Sequence, residues 1–153
     1  MTEIAGARGA SGSSRSGASS AGVGAADAGS LRVAAISPEI VIGDVDGNLD
    51  RIRSAIAAAA RRGAQLIVLP ELATSGYVFA DRDEALGAAL TTGDPRWSSV
   101  QEAIPEGAVI VVGYAESDGD RLFNTAAVLT RDLRLADYRK AHLWGAELSL
   151  IHI

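Results

Sequence analysis

The stretch that decides the fold is LRVAAISPEIVIGDVDGNLDRIRSAIAAAARRGAQLIVLP, residues 31–70. LRVAAIS (31–37) is a short apolar run behind a Gly/Ala/Ser-rich segment, and it predicts a buried strand. PEIVIGDVDG follows as a loop holding Pro38, Gly43 and Gly47. NLDRIRSAIAAAARRG (48–63) predicts a helix: Leu49, Ile52, Ile56 and Ala59/Ala60 share one face, while Asp50, Arg53 and Arg61 lie on others. Asp46 or Asn48 suits its start. Arg61 and Arg62 suit its C-terminal dipole, and Gly63 suits a left-handed stop. AQLIVLP (64–70) predicts a second buried strand. Strand, helix and strand joined by short connections imply a parallel pair with a right-handed crossover.

Outward from this unit, DRDEALGAAL and PRWSSVQEAI predict two short helices within residues 81–103, with turns at Gly93 and Pro105. AVIVVGYAE (108–116) predicts a third strand, SDGDR (117–121) an Asp-Gly hairpin turn, and LFNTAAVLT (122–130) and LRLADYRK (133–140) two more strands around Arg131-Asp132. A βαβ unit followed by helices and a β-meander is an α/β arrangement: a mixed sheet with helices on at least one face. Residues 1–30 are almost entirely Gly, Ala and Ser. They hold too few large apolar side chains to offset the entropy of ordering, so a disordered tail is expected there. The tail has no continuous apolar segment of a secretory signal and no amphipathic transit pattern.

The 153 residues carry a net charge of −5. Arg8 and Arg15 balance Glu3 and Asp27 in the tail, so the acidic excess belongs to the body. An acidic body without basic clusters speaks against a nucleic-acid partner. No apolar run approaches the roughly 18 residues of a membrane span. No nucleic-acid or membrane partner is therefore expected, and a cytoplasmic location is. The chain has no cysteine, so it contains neither disulfides nor thiolate metal sites. No metal-ligand cluster is visible.

Two residues carry candidate chemistry. Glu71 follows an apolar run and Pro70 in LPELATSGY (69–77), at the carboxyl end of a parallel strand, where open α/β sheets place their sites. A strand-end carboxylate facing water is the plainer alternative. Lys140 is the single lysine against thirteen arginines. A sequence that writes Arg for surface cations keeps a lysine where a compact ammonium is needed, unless it is merely a leftover surface cation. His142 stands nearby as a packing histidine or a base. Asn124 is expected to satisfy backbone groups of a neighbouring loop. Trp97 and Trp144 are expected in the core or an interface.

Three segments, LRVAAISPEIVIGDVDGNLDRI, LIVLPELATSGY and YRKAHLWGAE, taken in this order and spacing, resemble the nitrilase superfamily of carbon–nitrogen hydrolases over residues 31–147. The resemblance implies an α-β-β-α sandwich, of which this chain holds about half, and a Glu–Lys–Cys constellation. It implies Glu71 as general base, Lys140 as the lysine and Glu147 as a further glutamate of the site. It also implies a small-molecule amide or nitrile substrate, no metal or organic cofactor, and a homo-oligomer at full length. Such a cysteine attacks the amide or nitrile carbon, a carboxylate moves the protons and an ammonium stabilises developing charge. Amide hydrolysis is preferred because HLWGAE resembles amidase-type members.

The cysteine is missing; in the superfamily it lies downstream of the lysine segment. LSLIHI (148–153) is one translation of a DNA sequence that resembles a transposon-end sequencing adapter, and Leu148–Ile153 are therefore expected to be non-native, the alternative being a real short apolar end. On this reading residues 31–147 are the N-terminal part of a hydrolase domain. The chain alone is expected to be inactive and poorly stable, with apolar sheet surface and strand edges exposed. The alternative is a genuine cysteine-free binding or interaction protein.

Overall fold

The computed structural model describes residues 30–143. Leu148–Ile153, Glu147, Trp144 and the tail before residue 30 lie outside these. The described residues form five strands and three helices in the order β1 (Val33–Ala35), α1 (Val45–Ala60), β2 (Leu66–Val68), α2 (Arg82–Gly87), α3 (Trp97–Glu102), β3 (Val109–Asp118), β4 (Arg121–Leu129) and β5 (Arg134–Arg139). One sheet runs β1-β2-β3-β4-β5. Its first three strands are parallel, and β3, β4 and β5 form an antiparallel meander. The expected mixed sheet, the two short helices and the meander are all present.

The main helix begins earlier than its apolar stripe indicates. Asp44, rather than Asp46 or Asn48, is its N-cap, its carboxylate accepting from the Gly47 N–H at 3.1 Å. The predicted stripe is the buried one: Leu49, Ile52, Ile56 and Ala59 pack with Ile67, Ile110 and Val112 of the sheet. Asn48 lies on this buried side and has another task. Its side chain accepts from Val41 N at 2.9 Å and donates to Val41 O at 2.7 Å and Thr74 O at 3.1 Å. It thus joins the loop after β1 to the turn after β2.

Alternation along β3 assigns the two faces of the sheet. Ile110, Val112 and Tyr114 face the helices and are fully buried. Trp97 of α3 packs edge-on against Tyr114, with ring centroids 5.0 Å apart, so its expected core position holds. Burial pushes the Tyr114 phenol well above its ordinary value, which keeps its hydrogen available for the Asp137 carboxylate 3.1 Å away. On the opposite face Val111, Leu66 and Val68 are half-buried, and Val33 and Tyr138 are exposed. Register across β4 and β5 contains one irregularity: Val128 pairs with Ala136 and Leu129 with Arg134, so Leu135 is an extra residue in β5, a bulge.

Replacing Asn48 by alanine leaves the Val41 N–H and the buried Thr74 carbonyl without their side-chain partner. Urea denaturation should show a loss of about 1–3 kcal/mol. An unchanged midpoint would mean that the two loops are held together by other contacts.

Candidate active site

Glu71 is placed by the turn that ends β2. Leu69 N donates to Val111 O at 2.8 Å, Gly113 N to Pro70 O at 3.1 Å and Ala73 N to Gly113 O at 2.8 Å, so the turn lies against β3. Only glycine fits beneath it. A Cβ on residue 113 would stand 2.5 Å from Glu71 Cα, 2.6 Å from Pro70 O and 2.7 Å from Leu72 N. Leu72 has a positive φ of 47°, uncommon for a residue with a side chain, and it is only 1% exposed. Its burial and the bonds from Ser75 N and Gly76 N to its carbonyl hold the turn in this conformation.

Lys140 arrives from the other end of the sheet. Its N–H donates to Asn124 O at 2.8 Å and closes the β4–β5 ladder. Its ammonium donates to Glu71 Oε1 at 2.8 Å, joining residues 69 apart in sequence. Asn124 donates its side-chain amide to the same oxygen at 2.5 Å, and the Tyr77 hydroxyl donates to Oε2 at 3.3 Å. Oε1 is therefore held by two donors, and Oε2 carries the weaker contact. Asn124 was expected to satisfy backbone groups of a neighbouring loop, and its side chain is instead seen donating to the Glu71 carboxylate. An amide inside an otherwise apolar strand segment was the signal for it. Tyr77 stood in the SGY sequence without an assigned role.

Glu71, Asn124 and Lys140, together with Gly113, Ala126 and Tyr138, line an open cleft of about 220 Å³ on the sheet face away from the helices. A larger groove runs beside β1, but alanines and Arg32, Arg61 and Arg62 line it, with no carboxylate to act as a base. His142 is exposed, and Glu147 lies outside the described residues. The side chains of Lys140 and Glu71 remain 32% and 39% exposed. An ion pair so open contributes about 0–1 kcal/mol to stability, so folding alone is a weak reason for the arrangement. Among the described residues no group of His, Cys, Asp and Glu is arranged to hold a metal ion. None of the described helices is long and apolar enough to cross a membrane.

A carboxylate, an ammonium and an amide gathered at the end of a parallel strand form a polar centre suited to acid–base work on a small molecule. Residues 32–151 match the carbon-nitrogen hydrolase family, and the chain belongs to it. It is 36% identical over 119 residues to a nitrilase of Pyrococcus abyssi, covering 76% of this chain and 45% of that protein. It is 32% identical over 107 residues to an (R)-stereoselective amidase of Pseudomonas sp., covering 70% of this chain and 38% of that protein. A crystal structure of an N-terminal amidase with a Gln-Gly peptide superposes with a TM-score of 0.66 at 25% identity, over 78% of this chain and 30% of that one. The fold is thus the α/β fold of the nitrilase superfamily, in part: one sheet and its helix layer. The chain spans less than half the length of these relatives.

Gly113→Ala should push the turn carrying Glu71 away from β3. A loss of about 1–3 kcal/mol in urea denaturation is expected, as for overpacking elsewhere. Gly87→Ala, where a Cβ meets nothing within 4 Å, serves as the neutral control. Equal stability of both variants would show that the close approach at Gly113 is dispensable.

Proposed function

We propose that this chain supplies the general base and the cationic residue of a cysteine-dependent amide hydrolase, which converts an amide to a carboxylate with release of ammonia or an amine. The observation that carries this reading is the contact of Lys140 with Glu71 at the carboxyl end of β2, in a chain of the carbon-nitrogen hydrolase family. Glu71 is the base. With Oε1 occupied by Lys140 and Asn124, Oε2 takes the proton of the attacking thiol and passes it to the departing ammonia or amine; it then takes one from the hydrolytic water and returns it to the thiolate as the thioester is cleaved. Lys140 neutralises charge that develops on the substrate oxygen, and Asn124 keeps the carboxylate from rotating. The thiol comes from residues beyond the 153 of this chain, which contain no cysteine; it forms the thioester that water then cleaves. Glu147 assists at the same site.

Residues 31–147 are on this reading the N-terminal part of the hydrolase domain, with residues 1–30 a tail and Leu148–Ile153 non-native. The whole protein acts on a small amide in the cytoplasm as a homo-oligomer. A nitrile is the second candidate substrate, favoured by the likeness to the Pyrococcus abyssi nitrilase.

The test uses a version extended to the length of the relatives and an assay of ammonia release from simple amides. Lys140→Arg and Glu71→Gln should each lower kcat by about a hundredfold or more, the cost of losing one charge-stabilising or proton-transferring group. A planar guanidinium does not replace the compact ammonium, so wild-type turnover in Lys140→Arg would remove this lysine from the chemistry. The 153-residue chain should release no ammonia, and turnover by it would overturn the need for the thiol.

A further inference from the structure

On the helix side of the same strand end lies an ion pair that the chemistry above does not use. Glu116 of β3 is 1% exposed, which is rare for a carboxylate unless it is paired. Arg139 donates to it twice, from Nη2 to Oε1 at 2.5 Å and from Nε to Oε2 at 3.1 Å. The Thr125 hydroxyl donates to Oε2 at 2.6 Å. Arg139 also reaches Asp118 at 3.1 Å, and its guanidinium lies 3.8 Å from the centre of the Phe123 ring. Hydrogen bonding to Glu116 raises the guanidinium above its ordinary value, so Arg139 stays charged.

What this clamp can do follows from the position of β5. It is the last strand of the sheet, and its side chains from Leu135 to Arg139 are exposed. Little apolar burial holds it down. Its beginning is tied through Arg134 and Asp137 to the Tyr114 hydroxyl. Its end is tied through Arg139, which pairs with Thr125 across the ladder. Successive strand residues point to opposite faces, so an Arg139 anchored on the helix face turns Lys140 to the cleft face. Only the Glu116 end of the pair is buried, the Arg139 side chain being 40% exposed, and an ion pair open on one side adds little to stability. Retention of the charged pair next to the only lysine therefore has a second explanation.

We infer that Glu116 and Arg139 are positioning residues for Lys140: their clamp on one face of β5 holds the ammonium against Glu71 on the other. The inference rests on the reading of Glu71 and Lys140 as the reacting pair, but its test reads their contact without any turnover.

Because the chain has a single lysine, selective isotope labelling of lysine yields one side-chain ammonium signal in the NMR spectrum of the 153-residue chain. Glu71→Gln marks where that signal moves when the ammonium is released. Arg139→Gln and the isosteric Glu116→Gln should each shift it to the same place while the dispersed backbone amide spectrum of the sheet is kept. A Lys140 signal at its wild-type position in a folded Arg139→Gln or Glu116→Gln chain would overturn the inference. So would a signal that ignores Glu71→Gln. If both clamp variants lose the dispersed spectrum, the pair is only a brace of the fold and the inference also falls. If the signal shifts as expected but the extended Lys140→Arg protein hydrolyses amides normally, the positioning stands and the hydrolytic reading fails.

Discussion

The site depends on one close approach, the backbone of Gly113 against the turn from Pro70 to Leu72. Three hydrogen bonds cross between this turn, with its flanks, and β3, and the missing side chain at residue 113 is what lets them form. The approach decides where the chain leaves β2 and therefore where Glu71 stands over the cleft face. It also accounts for the left-handed Leu72. Such a conformation costs on the order of 1–3 kcal/mol, and complete burial of the leucine side chain offsets it. Asn48 secures the far side of the same turn through Thr74. The backbone at Glu71 is thus fixed by the turn, and its carboxylate by Lys140 and Asn124.

Most of the sheet could be read from local sequence because its strands are short apolar runs closed by Pro, Gly or charge, and its long helix has a clean apolar stripe. The start of that helix was misjudged because its cap is a matter of one side chain, Asp44, reaching Gly47 N; Asp46 and Asn48 offer the same chemistry at nearby positions. Glu71 and Lys140 stood out by type and place. Their contact did not, since 69 residues separate them and only the strand order brings them together. Asn124 was missed as a site residue for the same reason. Its composition context tells of a buried amide, and the partner that satisfies it is 53 residues away. Gly113 carried a legible sign, a glycine inside a strand, which commonly marks a backbone passing close by; which backbone passes could not be read.

The two faces of the sheet divide the work. The helix face holds the apolar core together with the paired groups Arg134–Asp137 and Arg139–Glu116. The cleft face holds the groups assigned to chemistry amid half-buried valines and alanines. Nothing in the helix layer needs to move for a small molecule to reach Glu71.

The bulge at Leu135 gives this division a parity. With the extra residue, Arg139 sits across from Thr125 and Lys140 falls on the cleft face. Were β5 drawn straight from Arg134 with the same residues, each later residue would pair one step further along. Arg139 would then stand opposite Asn124, its guanidinium toward Glu71, and Lys140 would turn toward the helices. A side-chain period of two makes a slip of one residue an exchange of faces. The order Arg-Lys therefore has structural meaning only in phase with the bulge, and the phase of an edge strand decides which of two adjacent cations meets Glu71.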